Sequence, residues 1–380
     1  MRCPSFQPAE TSVENALEIE IITTTQKLEQ LKPEWERLRK LHNAPTIFLD
    51  HAYVMAWWSS FGSEATQYTF VVRRSGTVVA IFPFMKTRWT VSGVPIRRVS
   101  FIINAHVLRS DALVADDAGV CIAAVLRHLR RDRWSWDIFD LENIPENSVL
   151  YPLLMQAAQQ NGFAADEWRR ARTHRLLPVV GTWDEYLRGR SGNFRWQIKK
   201  FRKRLEAHGN PEVERIYSRA AMLAFLPQLF ELEKRSWQGQ GSHSSMGDAD
   251  LKFCELLFSD MPEDRLGEFW AMRINGRLVA AITLLRLERV LYVFTTYYDP
   301  DLASASPGTL LYFEMLKSAW ERGEKAVDFN GDSAAFQRWT SEGINHFRLR
   351  IYSRNWFGRA LYCARNHFGF RAPAVIDNAA

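Results

Sequence analysis

Val71-Val72-Arg73-Arg74-Ser75-Gly76-Thr77-Val78-Val79-Ala80 is matched by Ala271-Met272-Arg273-Ile274-Asn275-Gly276-Arg277-Leu278-Val279-Ala280, 200 residues further on. Each stretch is an apolar run, a turn ending in glycine and a second apolar run, which is the pattern of a β-hairpin. Asn275-Gly276 is the stronger of the two signals, because both residues tolerate the positive φ that a tight two-residue turn demands. Self-similarity at a fixed spacing marks a duplicated unit.

The agreement extends in both directions. Upstream, the helical stretch Asp50 to Phe61 corresponds to Asp250 to Ser259. Downstream, each half continues with a strand, a helix and a strand: Val99–Ile103, Gly119–Arg131 and Ser135–Leu141 in the first, Val290–Tyr297, Pro307–Arg322 and Lys325–Asn330 in the second. Trp136-Asp137-Ile138-Phe139 echoes Val327-Asp328-Phe329. The spacing predicts an α/β (α+β) chain with lobes at 18–172 and 211–355, a basic connecting region at 173–210 and a tail at 356–380.

The 380 residues are 47% hydrophobic and 24% charged, which suits a globular chain with a substantial core and excludes wholesale disorder. The longest apolar run, about Val78 to Met85, is far too short to cross a bilayer. Glu10, Glu14, Glu18 and Glu20 fall where a secretory signal would be apolar, so the expected compartment is the cytoplasm. Cys3, Cys121, Cys254 and Cys363 are too widely spaced for a metal or redox motif, and the nine histidines form no cluster with them. Free thiols and no metal are the expectation.

Net charge is +6, from 49 basic and 43 acidic residues, and it is unevenly placed. Arg188, Arg190, Arg195, Lys199, Lys200, Arg202, Lys203 and Arg204 lie in one acid-free run, which suits an anionic ligand. Phe194, Ile198, Phe201 and Leu205 share one face of the helix this run predicts. Further on, Ser306-Pro307-Gly308-Thr309 opens an amphipathic helix, with Ser306 as the expected side-chain cap, Pro307 in the first turn and Gly323 near the end. The bare helix start around Gly308 offers outward backbone N–H groups and a positive dipole end, a ready site for phosphate.

At Tyr298-Asp299-Pro300-Asp301-Leu302-Ala303-Ser304-Ala305-Ser306-Pro307-Gly308-Thr309-Leu310-Leu311 the chain resembles the CelD-type acetyltransferases of the GNAT superfamily, relatives of the FemABX peptidyltransferases. Trp183-Asp184-Glu185-Tyr186-Leu187, Leu232-Glu233-Lys234-Arg235-Ser236-Trp237 and Asp328-Phe329-Asn330-Gly331-Asp332 agree in order, as do Ile81-Phe82-Pro83-Phe84 and Ile144-Pro145-Glu146-Asn147-Ser148. The resemblance spans roughly residues 20 to 355. It implies tandem GNAT-like lobes, each a mixed, mostly antiparallel twisted sheet flanked by helices. It also implies acetyl-CoA or another acyl-CoA as donor, with Ala305, Ser306, Gly308, Thr309 and Leu310 cradling the pyrophosphate. Two positions depart from the family pattern: Phe336-Gln337, followed by Arg338, stands where relatives often have Tyr-Lys, and Gln238 where a lysine often follows the Ser-Trp pair.

Acyl transfer from a thioester to an amine needs a proton acceptor, stabilisation of the oxyanion and protonation of the leaving thiolate. Glu233, Asp299, Asp328 and Asp332 are the candidate proton carriers, and Tyr298 and Tyr292 the candidate donors to the thiolate. Lys199, Arg202, Trp237 and Arg338 are the candidate contacts to an anionic or sugar-like acceptor. The expected activity is therefore an acyl-CoA-dependent N-acyltransferase acting on a small amine, with exopolysaccharide or cell-envelope metabolism as the setting the resemblance implies. Two alternatives stand beside it: a FemABX-like transferase using aminoacyl-tRNA, the one reading that brings in nucleic acid, and a non-catalytic GNAT pair that binds anions or scaffolds an assembly.

Overall fold

A computed structural model describes residues 17–42, 46–91, 93–236 and 247–368. The chain forms two compact units, and neither is contiguous in sequence. Unit 1 gathers residues 1–45, 62–171 and 346–375; unit 2 gathers 46–61, 172–345 and 376–380. The lobes expected at 18–172 and 211–355 are thus cut across by two exchanged segments.

Both hairpins of the repeat form. Thr69–Arg74 pairs with Thr77–Phe82 around Ser75 (φ 49°) and Gly76 (φ 80°). Glu268–Ile274 pairs with Arg277–Leu287 around Asn275 (φ 51°) and Gly276 (φ 76°). The likeness includes irregularities: each hairpin shifts register before its arginine, between Val72 and Arg73 and between Met272 and Arg273. Arg73 and Arg273 then each donate to the carbonyl of the turn glycine, at 3.3 and 3.4 Å. Past the hairpins, the Ala115 amide donates to Val79 O (3.0 Å) and the Asp299 amide to Val279 O (2.9 Å), again 200 residues apart on the acceptor side.

In unit 2 the strands Pro211–Ile216, Glu268–Ile274, Arg277–Leu287 and Val290–Tyr298 form an antiparallel meander. Ala326–Asp328 joins it in parallel, as the helical crossover Pro307–Glu321 requires. Leu176–Pro178, from the strand Arg169–Pro178, then pairs with Ala326–Asp328. The helix Gly192–Glu206 buries Phe194, Ile198 and Leu205 in the same core as the crossover helix, so this basic segment is an integral part of the unit rather than a connector. The first-half helix His51–Phe61 also belongs here, packing on its supposed counterpart Asp248–Asp260 through Tyr53 against Phe253 (ring centroids 5.3 Å). Asp50 at its start is ion-paired with the buried Arg265. The two helices of the repeat therefore serve one unit.

Unit 1 has the corresponding strands, with Pro83 breaking the second into Thr77–Phe82 and Phe84–Val91. Val94–Phe101 pairs in parallel with Ile138–Pro145, and Gly343–Tyr352 contributes His346–Tyr352 against the other edge of Ile138–Pro145. Register places Asp140, rather than Asp137, in the position of Asp328: Arg98 pairs with Ile138 as Val290 pairs with Ala326. Asp140 is fully buried among three guanidiniums. Arg348 binds it twice (2.8 and 2.6 Å), with Arg98 at 3.3 Å and Arg350 at 3.4 Å. Burial alone would raise the carboxyl pKa, but Arg98 first, and then Arg348 and Arg350, hold it at about 2. Asp166, buried nearby, takes bonds from Tyr352 Oη (3.2 Å) and Arg365 (2.5 Å).

A carboxylate whose pKa falls on folding stabilises the native state above its unfolded value and loses that contribution as pH falls through the folded value. Asp140 should thus contribute about 2–3 kcal/mol above roughly pH 4, lost progressively toward pH 2. Asp140→Asn leaves the buried Arg98 uncompensated, and we expect it to lower stability by about 3–5 kcal/mol at pH 7. Urea unfolding of both proteins at pH 7, 4 and 2.5 checks this, since the difference between them should shrink at the lowest pH.

Candidate active site

The strand Val290–Tyr298 leaves the unit 2 sheet at Asp299, whose buried carboxylate accepts from the Asp301 amide (3.2 Å), Arg235 (3.2 Å) and Arg277. Asp299 therefore pins the turn instead of carrying protons. After a 3-10 stretch, Pro300–Ala305, Ser306 adopts a left-handed conformation (φ 50°, ψ 55°), and the helix Pro307–Glu321 begins. Contrary to the sequence expectation, the Ser306 side chain makes no cap bond. Pro307 has no amide hydrogen and the Leu310 amide donates to Ser306 O (3.2 Å), so helix geometry leaves Gly308 and Thr309 as the amides with no carbonyl in the preceding turn. Of the five residues expected to cradle a pyrophosphate, these two carry the donors; Ala305 and Leu310 are buried packing. A Cβ on Gly308 would point at the sheet, 3.7 Å from Tyr298 Cδ1 and 3.9 Å from Thr296 Cγ2.

The strands beside this helix end diverge. Val290–Tyr298 and Ala326–Asp328 pair over three positions only, ending at Tyr292 and Asp328. Beyond them Asn330 takes a left-handed φ of 51° and holds the gap: its Nδ2 donates to Val293 O at 2.8 Å. Its buried Oδ1 has no hydrogen-bond partner among the described residues. Asp328, expected as a proton carrier, accepts the Asn330 amide at 2.9 Å and shapes this turn. Asp332, another candidate, is held by Arg175 (2.6 Å) and Gln337 (2.8 Å).

Tyr298 and Tyr297 point to opposite faces of the sheet, as successive strand residues must. Tyr298 packs with the Pro307–Glu321 helix. Next to it, Thr296 and Tyr312 share a hydrogen bond of 2.5 Å. On the other face Tyr297 is buried; desolvation, then the neighbouring Cys254 and Glu233, push its hydroxyl pKa far above the usual phenol range, keeping it a proton donor. Glu233, on the helix Arg219–Arg235, is itself buried beside it, and Thr295 and Thr283 are hydrogen-bonded at 2.8 Å on the strands they share. Of the six catalytic candidates, Glu233 and Tyr298 thus lie on either side of the diverging strands, Tyr292 is buried against Phe48, and Asp299, Asp328 and Asp332 are engaged in the hydrogen bonds given above.

The acceptor candidates scatter. Arg202 is bound to Glu314 (2.6 Å), strapping two helices together, and Lys199 is exposed on the far side of the basic helix from its buried residues. Arg195 closes the end of the preceding helix through the carbonyls of Leu187, Arg188 and Arg190. Trp237 lies outside the described residues. Arg338 comes to the helix start instead, 3.5 Å from Thr309 Oγ1 and half-buried, with burial lowering its pKa from the usual guanidinium value. Trp339 is core, not a sugar platform. Sequence reasoning missed Asn330 as a spacer, although Asn330-Gly331 carries the same positive-φ signal as the hairpin turn.

Unit 1 lacks such a helix start. Its counterpart, Ala118–Arg131, is capped by Asp117, which accepts the Val120 amide (3.2 Å), and Asp116 beside it pairs with Arg74. Two carboxylates where unit 2 has Ala305 and Ser306 fill the positive end of the dipole and repel a phosphate. Among the described residues no group of acidic, histidine or cysteine side chains could hold a metal ion, and no helix is long and apolar enough to cross a membrane. Cys121, Cys254 and Cys363 are in no disulfide among the described residues.

These features coincide with what the chain is similar to. Residues 192–338, which contain the whole site of unit 2, match the acetyltransferase (GNAT) domain family. Comparison with curated protein sequences returns no match. Among solved structures, FemX is similar at a TM-score of 0.57 and 13% identity, over 91% of this chain and 99% of that one. A tandem GNAT protein from the clavulanic acid biosynthesis pathway is similar at a TM-score of 0.52 and 14% identity, over 89% and 99%. The fold is therefore a tandem GNAT fold, and the stretch that matches the acetyltransferase (GNAT) domain family lies within unit 2.

The Cβ direction at Gly308 means a bulky residue there would wedge helix from sheet, so Thr309 is the better probe. Thr309→Glu should block acyl-CoA binding while the fold stays intact, because a carboxylate at a helix start stabilises the helix as it repels phosphate. Arg338→Ala should weaken acyl-CoA binding about tenfold, as expected for a charged hydrogen bond of about 1.5 kcal/mol. Calorimetric titration should give one acyl-CoA per wild-type chain; two per chain would contradict the closed helix start of unit 1.

Proposed function

We propose that this protein is an acyl-CoA-dependent N-acyltransferase, with unit 2 as the catalytic lobe. The observation that carries this reading is the uncapped helix start at Gly308 and Thr309, set beside strands that Asn330 holds apart. The residues fit the donor: the uncapped helix start offers the Gly308 and Thr309 amides, Arg338 lies 3.5 Å from the Thr309 hydroxyl beside them, and the orphaned Asn330 Oδ1 is ready to accept an amide N–H. Bound acyl-CoA supplies a thioester as the acyl source.

The chain's own groups supply the rest. Glu233 takes the proton that the acceptor ammonium must lose, in a buried setting that favours transfer to a neighbouring base over exchange with solvent. Tyr297 donates a hydrogen bond on the acceptor side and orients the amine toward the gap. Tyr298, on the donor side, gives its proton to the leaving sulfur. Arg338 belongs to the donor site here, which leaves the acceptor a small amine, sugar-like or anionic, whose charge is met elsewhere. A cytoplasmic role in exopolysaccharide or cell-envelope metabolism, of the CelD type, fits the motifs that suggested it.

One observation favours a second reading. Trp196, Lys199, Lys200 and Lys203 form an outward stripe on the basic helix, and FemX is among the similar structures. Such a stripe suits a phosphate-rich macromolecule, and with it an aminoacyl-tRNA donor.

Glu233→Gln should lower kcat by about 10²–10⁴-fold with acyl-CoA affinity unchanged, measured against a panel of amino sugars and small amines. Turnover with aminoacyl-tRNA and none with acyl-CoA would instead establish the second reading.

A further inference from the structure

Unit 1 has a cavity of about 310 Å³ beside the turn half of the hairpin Phe84–Val91 and Val94–Phe101, lined by Arg88, Pro95, Arg97, Trp134, Trp356 and Phe357 together with Asp137 and Asn355. We propose that it binds an acidic saccharide, at a site separate from the acyl-transfer reading and independent of it.

Four observations point there. Trp134 and Trp356 stand at the cavity 57% and 73% exposed, a costly display of indole for residues whose rings touch only the cavity's rim, Trp356 against Phe357 (ring centroids 5.5 Å) and Trp134 beneath Arg133. Indole faces suit the C–H face of a pyranose, and the concave volume suits one sugar ring with its substituents, whereas a membrane surface would call for a convex patch. Arg88 and Arg97 are directly opposed across the two strands, a like-charge pair that is unfavourable by itself. Arg97 is satisfied by Asp137 (2.6 and 3.0 Å), but among the described residues Arg88 has no carboxylate partner, and Arg133 adds another guanidinium over the Trp134 ring at 5.4 Å. The cavity is thus short of one anionic group.

The polar groups of the wall are already used. Asn355 donates to Arg133 O (2.9 Å) and Trp136 O (3.1 Å) and accepts from the Gly358 amide (2.6 Å); Asp137 holds Arg97 through side chain and backbone. Apart from Arg88 and the indole N–H groups, no side-chain donor or acceptor of the wall remains to read the edge of a nucleobase. A sugar needs none here, since its hydroxyls can stay in water at the open mouth while the ring stacks and its carboxylate meets Arg88.

Tryptophan fluorescence titration of the full chain with a galacturonic acid trisaccharide, maltotriose and uridine monophosphate tests the proposal. The acidic trisaccharide should bind saturably and at least tenfold more tightly than maltotriose. Trp134→Ala and Trp356→Ala should each weaken it tenfold or more, and Arg88→Gln should abolish the preference over maltotriose, with circular dichroism and acyl-CoA affinity unchanged in all three. Absence of saturable binding, binding insensitive to both tryptophan variants, or tighter binding of the nucleotide at the same residues would each overturn it. Because unit 2 is untouched, failure here leaves the transferase reading standing, and loss of acyl-CoA binding elsewhere leaves this one standing.

Discussion

Asp140 and its three arginines are the constraint on which unit 1 depends. A carboxylate buried to this degree is tolerated only with opposite charge close by, and two of the three guanidiniums come from the far end of the chain, on the strand Gly343–Tyr352. The network therefore specifies which strand may occupy that edge. An apolar strand of the right length could fill the space, but it would leave the buried Asp140 with Arg98 alone. Unit 2 uses the same sheet position differently: Asp328 turns its carboxylate back on its own chain and, through Asn330, sets the gap between strands. One position in the duplicated fold thus became a lock in one unit and a spacer in the other.

The divergence at the crossover helices follows the same logic. Asp116-Asp117 and Ala305-Ser306 occupy matching places, yet the first pair supplies negative charge to the helix start and the second supplies no side-chain cap. A backbone anion site exists only where side chains decline to fill it. Duplication gave two such helix starts, and two residues closed one of them.

Much of this was legible in the sequence, because turns and helix starts are local. The Ser75-Gly76 and Asn275-Gly276 hairpins, the helix after Ser306 and the apolar face of the basic helix all follow from residue types at short spacing. The exchange of residues 46–61 and 346–352 between units was not legible, since periodicity says that a strand or helix forms but not which sheet it joins. The surroundings of the carboxylates were not legible for a related reason. Asp299, Asp328 and Asp332 look alike in sequence, and only the fold brings Arg235 to the first, the Asn330 amide to the second and Arg175 to the third.

The borrowed strand also has a consequence in time. Ile138–Pro145 leaves the ribosome early, but its edge partner, His346–Tyr352, follows roughly 200 residues later, which at about 5–20 residues per second is on the order of 10–40 s. Throughout that interval Asp140 waits in a sheet whose edge is open, with Arg98 as its one counter-charge and Arg348 and Arg350 not yet made. The chain that emerges first is thus among the last to be finished, and the interval is a window in which any passing strand or helper protein competes for that edge.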